Sequence, residues 1–388
     1  MGATPVERWR HPGRGEGAAP VAGRVPGYGR AMRKDAHPDR PSRPVVLLAP
    51  DKFRGSLTAR EAVAAARLGA QDAGWEVIER PLSDGGEGLL DALGGANRTS
   101  RVTGPDGTSL DAAWRLDPDG TAVVESALAS GLAVAGGRER NDPLAATSAG
   151  TGELVAEAVL AGATRVVVGL GGSACTDGGY AAVQAVLERL GGQRPVDRGV
   201  ELVAACDVRT RFTDAARVFG PQKGAGPEQV AELTARLQTV LADYLERFGP
   251  DLARAGVDLP SLPGAGAAGG LGGAVVALGG RLVPGLELVA GQVGLDDALA
   301  GADAVVTGEG ALDAESFHGK VVGGVVEAAQ AYGIPVVAVA GVIEPDAPCT
   351  QLSRIHAVDL SETYGEEASW TRTAECLRDA VREALQTL

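Results

Sequence analysis

Aromatic residues make up only 4% of this 388-residue chain, against 45% apolar residues in all. Its core must therefore be built mostly from Ala, Val and Leu. No run of 18 apolar residues occurs, which argues against a transmembrane helix. The four cysteines (Cys175, Cys206, Cys349 and Cys376) are scattered, with no C-x-x-C pair. At this length that spacing suggests neither a disulfide framework nor a zinc site, and free thiols in a reducing cytoplasm are expected. Histidine is equally scarce: His11 and His37 lie near the N-terminus, His356 stands in an unremarkable stretch, and only His318 has polar company. Without a G-x-S-x-G elbow either, nucleophilic triads have little support.

Lysine is the rarest cation, with Lys34, Lys52, Lys223 and Lys320 set against 32 arginines. A retained lysine then suggests a place that needs a compact ammonium rather than a planar fork. The last three all lie in glycine-rich polar stretches, APDKFRGSL, FGPQKGAG and SFHGKV. Net charge is −14, and residues 1–43 alone carry +5, so the remainder is −19. A body that acidic repels nucleic acid and anionic membrane, and neither is expected as a partner. The 57 glycines and 22 prolines suit a loop-rich globular protein, with two domains as the prior.

Residues 1–43 alternate Gly, Pro and Arg without periodicity, read as a disordered tail, and lack the apolar core of a signal peptide. Val45–Ala49 reads as a buried strand running into a polar loop. Thr58 and Glu61 form a capping box for a helix to about Ala73, and Glu76–Glu79 is a second strand. Ser83–Gly88 is a glycine-spaced acidic loop. LDAAWRLD and TAVVES then read as antiparallel strands, so a second domain is expected to begin near residue 83. The strand Arg165–Val168 leads into GLGGSACTDGG and a helix Tyr180–Leu190. Gly169, Gly171 and Ala174 formally match a dinucleotide fingerprint, although the helix starts late for one. FGPQKGAG precedes an amphipathic helix over Glu228–Phe248. PGAGAAGGLGGA offers backbone amides that suit phosphate. Pro335–Gly341 is another buried strand, and Thr373–Leu388 a terminal helix.

The densest stretch of chemistry is VVTGEGALDAESFHGK, residues 305–320. Ala304–Thr307 reads as a buried strand that Gly308-Glu309-Gly310 turns sharply, with a helix starting at Val321. Polar groups packed at a strand's carboxyl end are what an α/β enzyme places in its crevice. The plainer alternative is a tight turn with solvated charges. Glycine loops, hydroxyls, isolated lysines and carboxylates together suit phosphoryl transfer, yet the P-loop and the protein-kinase motifs are both absent.

Eight ordered stretches, APDKFRGSL, LSDGGEG, TSAGTGEL, GLGGSACTDGG, ACDV, FGPQKGAG, PGAGAAGG and TGEGALDAESFHGK, closely resemble the type I bacterial glycerate kinases. That resemblance implies ATP-dependent phosphorylation of D-glycerate with Mg2+, leaning to the 2-hydroxyl, in a cytoplasmic enzyme; a homodimer stays open. It also implies two interleaved α/β domains. One is flavodoxin-like with a parallel sheet, from residues 44–82 and 291–388. The other is smaller and restriction-enzyme-like, inserted over 83–290. The chain departs from the family's usual pattern at Arg54 (Lys), Glu315 (Gln) and Arg209-Thr210-Arg211 (Asn-Pro-Leu), and between Leu190 and Ala205, where it is shorter.

Residue chemistry suggests the roles. Asp177 or Asp313 would take the acceptor proton, and Lys223 and Lys320 would face phosphate oxygens. Lys52 and Arg54 would hold the glycerate carboxylate, with Ser56 and Asp84 beside them. Ser173, Thr176 and Ser316, with the amides of Gly266, Gly269 and Gly270, would cradle ATP. Asp207 and Glu309, with Asp84 as a further candidate, would hold Mg2+. Two other readings stay open: an NAD-dependent oxidoreductase built on Gly169–Ala174, and a non-catalytic ligand-binding paralogue.

Overall fold

The computed structural model describes residues 43–317 and 319–388. The expected N-terminal tail, apart from Arg43, and His318 lie outside the described residues. The chain divides into two compact units. Of the described residues, one holds 43–84, Asp91–Leu93 and Leu286–Leu388; the other holds Gly85–Leu90 and Gly94–Gly285.

In the first unit, five strands form one parallel sheet: β1 (Val45–Leu48), β2 (Glu76–Glu79), β9 (Ala304–Leu312), β10 (Val336–Ile343) and β11 (His356–Asp359). Their spatial order is β2-β1-β9-β10-β11. Counted within the unit this is 2-1-3-4-5, the doubly wound order of flavodoxin-like sheets. Helices α1 (Ala59–Asp72) and α7 (Thr373–Gln386) cover one face. There Val46, Leu48, Val306, Val337 and Val339 pack with Ala62, Ala66, Leu377 and Val381. The alternate residues Leu47, Val305 and Ala338 are buried as well, as a sheet covered on both sides requires. Helix α6 (Val321–Tyr332) follows β9 and packs on it. The capping box of α1 is present, with the Glu61 amide donating to Thr58 Oγ1 at 3.2 Å and the Thr58 amide to Glu61 Oε2 at 2.8 Å.

The second unit holds six strands: β3 (Arg98–Thr103), β4 (Ser109–Leu116), β5 (Thr121–Glu125), β6 (Arg165–Gly169), β7 (Glu201–Ala205) and β8 (Arg281–Val283), in that spatial order. The β3-β4-β5 ladders are antiparallel and the β5-β6-β7-β8 ladders parallel. Its main helices are α2 (Ala149–Leu160), α3 (Tyr180–Arg189), α4 (Pro227–Arg254) and α5 (Ala267–Ala277). The core is Ala, Val and Leu, as the composition requires, with a small group of aromatics among them. Trp114, Phe212 and Tyr244 are fully buried, and the Tyr244 ring lies 5.9 Å from Phe212 and 6.1 Å from Phe248. Helix α4 runs past the expected Phe248, through Pro250, because its apolar stripe of Leu237, Tyr244 and Phe248 continues to Leu252.

One expectation fails in an informative way. Gly308-Glu309-Gly310 does not turn the chain; β9 stays extended to Leu312, paired with β10 as far as Ile343. Neither glycine takes a positive φ. Gly308 is required for close approach instead, since a Cβ there would press on the Val339 carbonyl and stand 3.3 Å from Phe53. Gly308→Ala should therefore cost about 1–3 kcal/mol as an overpacked site. Urea unfolding checks this, and an unchanged midpoint would refute the close approach.

Candidate active site

β9 outlasts β1, which pairs only with Ala304–Val306. Residues 307–312 therefore project past the end of β1 and run beside the chain leaving it. The Asp51 amide donates to the Gly308 carbonyl at 2.9 Å, and Thr307 Oγ1 to the Ala49 carbonyl at 2.9 Å. Adjacent parallel strands whose connections diverge make the crevice where doubly wound sheets bind ligands.

Ionisable groups gather at that edge. Lys52 Nζ stands 3.6 Å from Asp51 Oδ1 and 4.0 Å from Asp84 Oδ1. Asp51 is 8% exposed, and burial lifts its carboxyl to about 6; Lys52 opposes the rise and Asp84 adds to it. Glu309 goes further. Burial lifts its carboxyl to about 8, the Ser316 hydroxyl and Lys320 opposing, Asp51 and Asp313 adding. Its Oε1 is sealed from solvent without a hydrogen-bond partner among the described residues.

Downstream, Asp313 organises the turn. Its Oδ1 accepts from the Glu315 amide at 2.8 Å, the Ser316 amide at 3.0 Å and Ser316 Oγ at 3.2 Å. Ser316 is fully buried in this turn, and its Oγ accepts from the Asp313 amide at 3.0 Å. Lys320, the residue preceding α6, is a quarter exposed and pairs with Glu315 Oε2 at 3.3 Å. Burial disfavours its ammonium, but the carboxylates of Glu309, Asp313 and Glu315 outweigh that and raise its pKa. Arg54 is exposed at the tip of a small loop closed by paired Phe53 and Leu57 backbone bonds, and Ser56 Oγ donates to the Phe53 carbonyl at 3.3 Å.

In the second unit the loop after β6 is fixed from several sides. Lys223 Nζ donates to Ser173 Oγ at 2.8 Å and to the Cys175 carbonyl at 2.5 Å, 3% exposed. Burial pulls its pKa down. Asn141 Nδ2 donates to the Ala174 carbonyl at 3.2 Å and the Lys223 carbonyl at 2.9 Å. Asp177 accepts from the Ser148 amide and hydroxyl at 3.0 and 2.7 Å and from the Gly179 amide at 3.0 Å. Tyr244 Oη donates to the Gly178 carbonyl at 3.0 Å. Thr176 Oγ1 is buried with no partner among the described residues.

The glycine segment lies against this loop. A Cβ on Gly269 would meet the Cys175 carbonyl, and one on Gly270 would stand 2.5 Å from Gly178 Cα. The Gly266 amide is donated to the Thr210 carbonyl and the Gly270 amide to the Gly266 carbonyl. Both amides are thus spent within the chain. Asp207, exposed after β7, accepts from the Gly285 amide at 2.9 Å.

The structure therefore brings Lys52, Asp84, Glu309, Asp313, Ser316 and Lys320 to one sheet edge, and Ser173, Thr176, Asp177 and Lys223 to one loop. Three residues that hold these arrangements were not among the expected site residues: Asp51, Asn141 and Ser148. Asp51 carried a signal, a strand-end acid directly before a rare lysine. Asn141 carried none, standing 82 residues from the Lys223 carbonyl it binds.

A family model described as the glycerate kinase family matches residues 46–193 and 189–388. The two segments meet at the stretch where the sequence reads short. An uncharacterized protein of Mycobacterium bovis is 43% identical over 334 residues, 82% of this chain and 85% of that one. The glycerate 2-kinase of Escherichia coli K12 is 37% identical over 347 residues, 81% and 89% of the two chains. A crystal structure of a "putative glycerate kinase 2" from Salmonella typhimurium LT2 superposes with a TM-score of 0.74 at 32% identity, covering 89% of this chain and 98% of that one. Fold and residue set define an α/β protein that presents ionisable groups at the ligand edge of a doubly wound sheet. The chain belongs to the glycerate kinase family.

The raised carboxyls make stability depend on pH. Between about pH 4.5 and 8 the folded protein keeps a proton on Glu309 that the unfolded chain has released. Stability from this group is thus fully present below that window and lost as pH rises through it, and Asp51 acts in the same direction up to about 6. The melting temperature of the ligand-free protein should fall across this range, and Glu309→Gln should flatten the slope. A variant with the wild-type slope would show that Glu309 ionises normally.

Proposed function

We propose that the chain transfers the terminal phosphoryl group of ATP to D-glycerate, with the 2-hydroxyl as the favoured acceptor. The observation that carries this reading is the set of Asp51, Lys52, Asp84, Glu309, Asp313 and Lys320 at the carboxyl edge of β1 and β9, in a member of the glycerate kinase family. Phosphoryl transfer needs positioning and charge neutralisation more than covalent chemistry, and lysines among carboxylates supply both. Lys52 offers its ammonium to the substrate carboxylate, with Arg54 on the neighbouring loop tip. Lys320 meets phosphate oxygens. Asp313 accepts the hydroxyl proton through its second oxygen, which no donor of the turn among the described residues holds. In the second unit, Ser173, Thr176 and the tied loop that carries them offer hydroxyls to the nucleotide, and Lys223 and Asp177 hold that loop in shape.

Magnesium fits these residues only as a shared ligand. No group of three His, Cys, Asp or Glu stands together among the described residues. Mg2+ needs just one or two carboxylates with phosphate oxygens and waters. Glu309, whose Oε1 has no partner among the described residues, is the carboxylate of the first unit that we assign to that role. When bound, the ion supplies charge neutralisation on the phosphates. The dinucleotide reading finds no support, since ten residues separate the end of β6 from α3, leaving no helix start within the fingerprint.

The test is incubation with ATP, Mg2+ and D-glycerate, with products followed by phosphorus NMR. A 2-phosphoglycerate signal is expected; a folded protein that binds ATP yet makes no phosphoglycerate would refute the reading. Lys320→Ala should lower kcat about 10²- to 10³-fold with its circular dichroism unchanged. Near-normal turnover would remove Lys320 from the site.

A further inference from the structure

Lys320 is surrounded by three carboxylates of very different freedom. Glu309 is carried on a strand and its Oε1 is sealed from solvent. Asp313 is 9% exposed, with Oδ1 held by three donors of the turn. Glu315 differs from both. Its side chain is 77% exposed, its one close polar contact among the described residues is Lys320 Nζ at 3.3 Å, and its backbone amide already serves the turn through Asp313. Only Glu315 can leave without disturbing a strand or a turn. The ammonium it covers stands at the start of the twelve-residue helix α6, an end that no side chain among the described residues caps and whose dipole favours an anion.

We propose that Glu315 is a displaceable counter-ion for Lys320. An incoming phosphate or carboxylate takes its place, so the charge at position 315 sets how tightly this chain holds an anionic ligand. The identity of the natural anion rests on the kinase reading; the displacement does not. An exposed ion pair holds weakly in water, so the ligand meets a small penalty rather than a block. That penalty is paid in binding and has no counterpart in the chemical step, so it belongs in KM and not in kcat. Salt screens both contacts, and the effect must fade as ionic strength rises.

Glu315→Gln keeps the shape and the backbone bond of the turn and removes only the charge. Titration with inorganic phosphate, followed by calorimetry, should show the variant binding about three- to tenfold more tightly than wild type at low ionic strength. The difference should vanish at high salt. Glu367→Gln, the same change on an exposed carboxylate of the helix Glu366–Thr371, should leave binding unaltered. On a Lys320→Met background the Glu315 substitution should have no further effect. Binding by Glu315→Gln equal to or weaker than wild type overturns the proposal, as does phosphate binding that survives Lys320→Met. Absence of phosphate binding in all these proteins overturns it too. Turnover of glycerate is read separately: if none occurs while Glu315→Gln still tightens phosphate, the kinase reading falls and the counter-ion stands.

Discussion

The mismatch in length between β1 and β9 is what the first unit's chemistry depends on. β1 ends at Leu48, whereas β9 continues to Leu312 because β10 pairs with it along its whole length. The overhang carries Glu309 out beside the chain at Asp51, with one backbone bond fixing their separation. Two carboxyls are then forced into a partly dry edge, where burial disfavours ionisation of both and Asp51 adds to the effect on Glu309. A lysine on either side, Lys52 and Lys320, keeps that arrangement from costing more than it does. Take away the overhang and the edge becomes an ordinary row of strand ends.

The second unit solves a different problem with similar residues. Its loop after β6 is held by donors aimed at its carbonyls: Lys223 at Cys175, Asn141 at Ala174 and Tyr244 at Gly178. Asp177 takes the opposite role and collects three donors from the starts of α2 and α3. Gly269 and Gly270 let a second segment lie against this loop at distances that no side chain permits. Rigid backbone, rather than free charge, is the product. A loop fixed this way would meet a ligand without ordering itself first, which saves entropy at the moment of binding.

The sequence read most clearly where a local rule decides the outcome. The capping box at Thr58, the strand Glu76–Glu79 and the helix from Tyr180 all follow from neighbours in the chain, and they fall where local chemistry puts them. Gly308-Glu309-Gly310 was misread because glycine signals both a turn and a close approach, and only the facing strand tells them apart. The Val339 carbonyl, 31 residues away, decides the matter. The same blindness hid Asn141 and Ser148, whose partners are distant in the chain. Glycine-rich amides at 266–270 suggested a phosphate surface, but where a backbone hydrogen goes is settled by what packs against it. Candidate residues were legible by type, and their partners were not.

Lysine scarcity shows how far a compositional argument can reach. It singled out Lys52, Lys223 and Lys320 as places needing a compact ammonium, and the three sites use that property differently. At Lys52 the ammonium sits between two carboxylates at 3.6 and 4.0 Å. At Lys320 it stands half-buried against a helix start. Lys223 makes the strongest case, since it is 3% exposed and its two close acceptors are a hydroxyl and a carbonyl. An arginine there would bring five N–H donors into a space that offers far fewer acceptors, and each unmet donor would carry its own burial cost. An ammonium has three donors that rotate to fit. The preference for lysine at this position is therefore a matter of hydrogen-bond supply.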